Sequence, residues 1–384
     1  MLEVRNIAVA LFCLVTASLV PLAPTMAKPA PASPDQRAAA TVRRMAPEEK
    51  SVLTRGIMAI PFPGSPALSP DAVLGAGYVN GLPRIGVPAL RETDASLGVA
   101  YVQGQRHDGA TALPSGIAMA ATWNPSLLRQ GGAMIGREAH AKGFNVLLAG
   151  GANLTRDPRN GRTFEYLSED PLLTGMLVGA AIDGIQSNDM ISTIKHFALN
   201  GQETGRKIVD TRISEPAARE SDLLAFQIGI EQGKPGSVMC AYNVVNGAHA
   251  CDNDWLLNKV LKQDWGYKGF VMSDWGAVPG LQAAMNGLDQ QSGSQLDPAV
   301  FFGKPLAEKA ASDPVWAARV DDMNRRVLSQ IYLHHLDSNP ARPGGEIDFA
   351  KNGEVALEIA RQGIVLLRNK DNRSEERRVG KECW

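Results

Sequence analysis

Residues able to do chemistry follow short apolar runs at five places in this chain. Asp94 comes after Val87-Pro88-Ala89-Leu90, Arg156 and Asp157 after Phe144-Asn145-Val146-Leu147-Leu148, and Lys195-His196 after Ile191-Ser192-Thr193-Ile194. Tyr242 and Asn243 follow Ser237-Val238-Met239-Cys240-Ala241, and Asp274-Trp275 follow Gly269-Phe270-Val271-Met272-Ser273. Carboxylates, cations and aromatic rings together suit a sugar. Its hydroxyls need charged hydrogen-bonding partners, and the C–H face of its ring needs an aromatic platform. Carboxylates also supply the acid, base or nucleophile of glycoside hydrolysis. The sequence holds no GxxxxGK[ST], GxGxxG, HExxH, GxSxG or CxxC pattern. Nucleotide, metalloprotease, serine-hydrolase and thioredoxin-like chemistries therefore lack local support. No Cys/His cluster points to zinc, and the chemistry calls for no metal or organic cofactor.

Something must hold these residues together. Near-continuous apolar runs read as strands covered on both faces, as in parallel sheets. Helical stretches lie between them at Pro125 to Lys142, Leu172 to Gln186, Pro216 to Gln232 and Asp254 to Asp264. This alternation over residues 41–340 predicts an α/β fold, a (β/α)8 TIM-type barrel, with an open doubly wound sheet as the second choice. A barrel brings the C-terminal ends of its strands to one rim, where active sites are built. Five strands ending in polar residues favour that arrangement.

Composition narrows the partners. The 384 residues are 44% apolar and balance 39 Lys plus Arg against 40 Asp plus Glu, for a formal net charge of −1. Nucleic-acid or membrane-surface binding would need a cationic excess. No run reaches the roughly 18 apolar residues of a membrane span. With 38 Gly and 24 Pro the chain has many turns. Oligomeric state leaves no mark on it.

The two ends read differently from the middle. Arg5, the apolar stretch Ile7 to Val20 and the small residues Thr25 and Ala27 have the layout of a secretory signal over residues 1–27. Export to the periplasm or outside the cell follows. Residues 28–40 read as an extended Pro/Ala linker. At the other end, residues 341–372 read as a linker and the first strand of a second domain, with Gly363 to Asn369 as that strand. Residues 373–384 switch abruptly to charged residues and read as a non-native tail. Cys13 falls in the signal and Cys383 in the tail. Cys240 and Cys251, bound for an oxidising compartment, are expected to form a disulfide.

Three segments carry a family resemblance. Lys195 to Arg206 (KHFALNGQETGR) looks like the KHFxxNxxExxR signature of glycoside hydrolase family 3. Gly269 to Trp275 resembles that family's nucleophile strand, and Arg156 to Glu165 its RDPRxGRxxE segment. Lesser matches at Met45 to Lys50, Arg84 to Asp94, Ser237 to Gly247 and Ile364 to Asn369 occur in family order. The resemblance implies that the domain at 41–340 is the family's catalytic barrel and that the 341–372 strand opens its following α/β domain.

It also implies roles. Asp274 would be the catalytic nucleophile, kept ionised by Lys195 and Arg206. Asp94, Arg156, Lys195, His196 and Arg206 would bind sugar hydroxyls. Tyr242 would sit beside the nucleophile, and Trp275 would stack on or wall the site. Arg162 and Glu165 would be an internal ion pair. The reaction implied is that of a retaining exo-β-glycosidase, a β-glucosidase removing terminal non-reducing glucosyl residues from a β-glucoside or oligosaccharide. β-Xylosidase and β-N-acetylhexosaminidase chemistry are the alternatives. So is a sugar-binding fragment without turnover, because the family's glucosidases usually take their acid/base Glu from the following domain. One position departs from the family's SDGPxGVR pattern: Ala100 stands where the arginine would be, which leaves the glycone open.

Overall fold

The computed structural model describes residues 31–61, 65–100 and 106–370. The chain divides into two units, Met1–Ala32 and Ser33–Trp384, and only described residues of the second are discussed below. The expected signal at 1–27 and tail at 373–384 lie outside the described residues.

Seven strands form one curled sheet: β1 (Ile57–Ala59), β2 (Gly75–Val79), β3 (Leu90–Thr93), β4 (Val146–Leu147), β5 (Ile191–Phe197), β6 (Ser237–Cys240) and β7 (Phe270–Ser273), neighbours in that order. Pairs from β3 to β7 are parallel. Contrary to the all-parallel expectation, β2 runs antiparallel to both β1 and β3. Between β2 and β3 the cause is chain length. A parallel return needs a crossover of about a dozen residues or more, whereas only a single turn at Pro83–Ile85 links β2 to β3. β3 itself starts at Leu90, later than the apolar run 87–90, since Pro88 has no N–H for a ladder. That shift places Asp94 immediately after the strand. Beyond β7, Gln290 bridges Met272 and Gln291 bridges Arg55. Gly56 N–H donates to the Gln291 carbonyl at 2.8 Å. Among the described residues, isolated bridges and no eighth strand follow β7.

The helices, in chain order, are α1 (Pro34–Val42), α2 (Gly116–Ala120), α3 (Pro125–Ala141), α4 (Pro171–Gln186), α5 (Glu215–Glu220), α6 (Asp222–Gly233), α7 (Lys304–Ser312), α8 (Pro314–Leu333) and α9 (Phe349–Gly363), with a π-helix at Trp255–Asp264. Several begin with one device. Ser33-Pro34, Asn124-Pro125, Asp170-Pro171 and Asp313-Pro314 each pair a capping side chain with a proline at the first helical position. The cap satisfies an orphan N–H, and proline there sacrifices none. α3 packs on α4 and α4 on α6. At the first contact a Cβ on Gly132 would lie 2.1 Å from the Ala181 carbonyl oxygen, so only glycine allows that approach.

Three expectations need correction. The single helix at 216–232 is broken at Ser221, whose hydroxyl donates to the Ala217 carbonyl and to Asp222. The 28–40 segment is not an extended linker throughout. Ser33 and Gln36 form a capping box that starts α1 at Pro34. The described part of the segment, residues 341–370, holds a helix rather than a strand: α9 buries Ile359 and Asn352. Asn352 Nδ2 donates to Glu138 and to Thr111, pinning α9 to the barrel. Ile364 to Leu367 continue from it as irregular chain, 65–91% exposed. An apolar run this short forms a strand only where a sheet edge is at hand.

Cys240, at the end of β6, is disulfide-bonded to Cys251 in the turn Ala250–Asp252. Both are fully buried. The bond closes the small hairpin Val244–Val245 and Ala248–His249 against the strand that carries Tyr242. Replacing both cysteines by Ala should cost roughly 2–3 kcal/mol of stability, read by urea unfolding. A loss under 1 kcal/mol, matched by reduction of the parent, would show that packing alone holds the hairpin.

Candidate active site

β3, β5, β6 and β7 each deliver a polar group at or just beyond the C-terminal end, and, with Leu148 after β4, those ends share one cavity. It measures about 270 Å³ and is lined by Asp94, Arg162, Lys195, His196, Arg206, Tyr242, Asp274 and Trp275, with Met58, Leu148, Met239 and Leu296 among its apolar neighbours. Lys195 and His196 are consecutive residues of β5, yet both reach it. Side chains alternate across a regular strand. Here the pairing of β5 with β6 slips in register between Ile194 and Phe197, which re-aims one of the two.

Asp274 stands at one end, 7% exposed. Its Oδ1 accepts from the Trp275 N–H at 2.8 Å, while Oδ2 has no hydrogen-bond partner and lies 3.6 Å from His196 Nε2. Burial pushes this carboxyl above the ordinary aspartate range. The Arg162 charge, the Trp275 N–H and Lys195 pull the other way but do not cancel it. Sequence reasoning assigned that task to Lys195 and Arg206. In the structure Arg162 is the leading cation. Arg206 is committed elsewhere: it donates to Glu203 and lies 3.9 Å above the Tyr242 ring.

At the other end Lys195 Nζ donates to Asp94 Oδ1 at 3.0 Å and lies 3.8 Å from Glu165 Oε2. Burial works against the ammonium, but the Asp94 and Glu165 charges more than offset it. His196 is held neutral, its pKa pushed well below 6.5 first by burial and then by Arg162 and Lys195. Arg162 can only donate, so His196 Nε2 accepts from it at 2.9 Å. The proton therefore sits on Nδ1, 3.0 Å from the Tyr166 hydroxyl. Trp275 walls the cavity with its indole fixed by Nε1–H donating to the Ala76 carbonyl. Tyr242 is fixed likewise, donating to the Trp275 carbonyl at 2.9 Å.

A profile described as "Glycosyl hydrolase family 3 N terminal domain" matches residues 75–296. The chain belongs to glycosyl hydrolase family 3. A β-glucosidase of Bacteroides ovatus is 36% identical over 308 residues, covering 75% of this chain and 41% of its own length. Thermostable β-glucosidase B of Acetivibrio thermocellus is 34% identical over 301 residues, covering 75% and 38%. β-Glucosidase 3B from Thermotoga neapolitana in complex with glucose superposes with a TM-score of 0.80 at 35% identity, over 87% of this chain and 48% of that one. The chain thus spans about two fifths to half of the relatives it matches.

Within this family 3 barrel, one expected site residue is elsewhere. Arg156 pairs with Asp222, its side chain 54% exposed, and does not line the cavity. The arginine that does is Arg162, six residues on in the same loop. It was expected only to pair with Glu165, and it does both. Arg162→Met should therefore raise the Asp274 carboxyl further, whereas Arg156→Met should leave it unmoved. A carboxyl ¹³C titration separates the two, and equal shifts would contradict this geometry.

Proposed function

We infer that this chain supplies the glycone-binding and nucleophilic groups of a retaining exo-β-glycosidase, a β-glucosidase acting on terminal non-reducing β-D-glucosyl residues. One observation carries the reading. Asp274 Oδ2 is buried, unpartnered and part of a cavity rimmed by cations and a fixed indole. Small-molecule sites run from about 300 Å³ upward, so a cavity of about 270 Å³ favours one ring and hence exo action. Asp274 would attack the anomeric carbon as the aglycone departs, and water would then release the covalent glycosyl-enzyme. Asp94, Lys195 and Arg162 would hold ring hydroxyls. β-Glucosidase relatives and the glucose-bound neighbour support glucose as the glycone. The buried disulfide supports a location outside the cytoplasm, periplasmic or secreted.

A second observation shapes the test. Asp94 and Asp274 are the carboxylates lining this cavity among the described residues, and Asp94 is engaged by Lys195. Neither is placed to protonate a leaving group. A positioned general acid contributes about 10²–10⁴-fold. The chain should therefore cleave dinitrophenyl glucoside, whose leaving group needs no proton, with far higher kcat/KM than cellobiose. Comparable efficiency on both would show that the barrel carries its own acid. Loss of both, with glucose still bound, would favour a sugar-binding role without turnover.

A further inference from the structure

One loop grips His196 from both sides. Arg162 and Tyr166, four residues apart in the chain, each bond a different nitrogen of its ring. We propose that Tyr166 is a positioning residue for the reaction, which keeps the attacking oxygen of Asp274 free by holding the His196 proton on the far nitrogen. The proposal rests on the glycosidase reading above.

The surroundings leave the imidazole little room. Asn153, in the loop after β4, clips the His196 backbone with its amide: Oδ1 accepts from the N–H at 2.8 Å and Nδ2 donates to the carbonyl at 3.0 Å. Tyr166 is fully buried, and its ring meets the imidazole edge to face, with centroids 6.1 Å apart. Its loop comes this close because two glycines allow it. A Cβ on Gly151 would lie 2.5 Å from the Glu165 carbonyl oxygen, and one on Gly116 would lie 2.3 Å from that of Tyr166.

Each partner constrains the proton differently. Arg162 can only donate, so Nε2 accepts from it at 2.9 Å, and the proton of the neutral ring falls to Nδ1. There it is buried and needs an acceptor. The Tyr166 oxygen, at 3.0 Å, is the hydrogen-bond partner of Nδ1 among the described residues. Asp274 Oδ2, 3.6 Å from Nε2, then receives no hydrogen bond.

Phenylalanine at 166 would remove that acceptor. A buried N–H without a partner is costly, and the ring has an alternative, because a proton moved to Nε2 would face the Asp274 carboxylate. Arg162 can release Nε2 and still keep its bond to Glu165. A hydrogen bond to an ionised carboxylate is a strong one. Asp274 loses its charge as it attacks, so that bond would stabilise the nucleophile before the transition state more than in it, and the barrier would rise. Tyr166 thus acts on Asp274 through His196.

Histidine side-chain ¹⁵N–¹H spectra of the whole chain test this, with His196 identified as the signal that His196→Asn removes. The parent should carry its proton on Nδ1, and Tyr166→Phe, which keeps the ring packing, should move it to Nε2. With that move, kcat/KM for dinitrophenyl glucoside should fall about 10–100-fold, as one hydrogen bond to a charged group implies. Glucose affinity should stay within about threefold, because a sugar hydroxyl can donate to a lone pair or accept from an N–H. A proton on Nε2 in the parent, a variant that keeps it on Nδ1, or a moved proton with unchanged turnover would each overturn the proposal. Equal losses of turnover and glucose affinity would do so too, since they would mark Tyr166 as part of the packing alone. A folded parent with its proton on Nδ1 and no turnover would instead overturn the glycosidase reading beneath it.

Discussion

Asp274→Asn is expected to lower turnover of dinitrophenyl glucoside by about 10⁴–10⁶-fold, the range seen when a nucleophile is removed from a preorganised site. The amide is nearly isosteric but far less nucleophilic. Its carbonyl oxygen can still accept from the Trp275 N–H, so the cavity should keep its shape. Folding should not suffer either. Burial holds the native carboxyl above its ordinary range, meaning that the fold pays to keep a charge there, and the neutral amide removes that cost. Trapping the parent with a 2-fluoro glycoside and mapping the labelled peptide identifies the nucleophile directly. A label on Glu203 or Glu165, or less than a hundredfold loss in the variant, would remove Asp274 from its role.

How far such a site can be read from sequence depends on what fixes each side chain. Asp94, Lys195, His196, Tyr242, Asp274 and Trp275 are tied to strand ends, and apolar runs mark strand ends well. All six line the cavity. Arg156 and Arg162 hang on a loop of irregular chain. Their order along it says nothing about which points inward, and the outcome is decided by Asp222, which captures Arg156 where the helix breaks at Ser221. Arg206 reaches the cavity but not as a counter-charge, because Glu203 sits three residues before it, within ion-pair reach. That spacing was visible; its consequence for Asp274 was not. The fold shows the same division. α3 and α4, opened by Asn-Pro and Asp-Pro, begin within a residue of where periodicity placed them, while the strand expected at Ile364 to Leu367 has no sheet partner among the described residues. Strands exist by pairing, and pairing is not a local property.

Glu92 escaped the sequence reading altogether, although it is two residues from Asp94 and lies inside the barrel. It is 1% exposed, and neither carboxyl oxygen has a hydrogen-bond partner. Its Cα partner across β2 and β3 is Gly77, where a Cβ would fall 2.0 Å from Glu92 Oε2 and 3.0 Å from the Trp275 ring. Glycine at 77 is thus what makes room for the acid beneath the indole. Burial, aided by the Asp94 charge, pushes its pKa from 4.5 up to about 8. In the unfolded chain the group ionises near the ordinary value. Between pH 4.5 and about 8 the folded state therefore keeps a proton that the unfolded state releases, and stability falls as pH rises through that window, levelling off above it. At about 1.4 kcal/mol per pH unit the full window is worth on the order of 5 kcal/mol. Glu92→Gln removes the titration. At pH 4.5 the variant and the parent should be similarly stable, and at pH 8.5 the variant should be more stable by most of that amount. Urea unfolding of the two proteins at both pH values isolates the effect, since other groups titrate alike in each. A difference that stays the same at the two pH values would mean that Glu92 ionises freely in the folded protein, and that water reaches the barrel interior under Trp275.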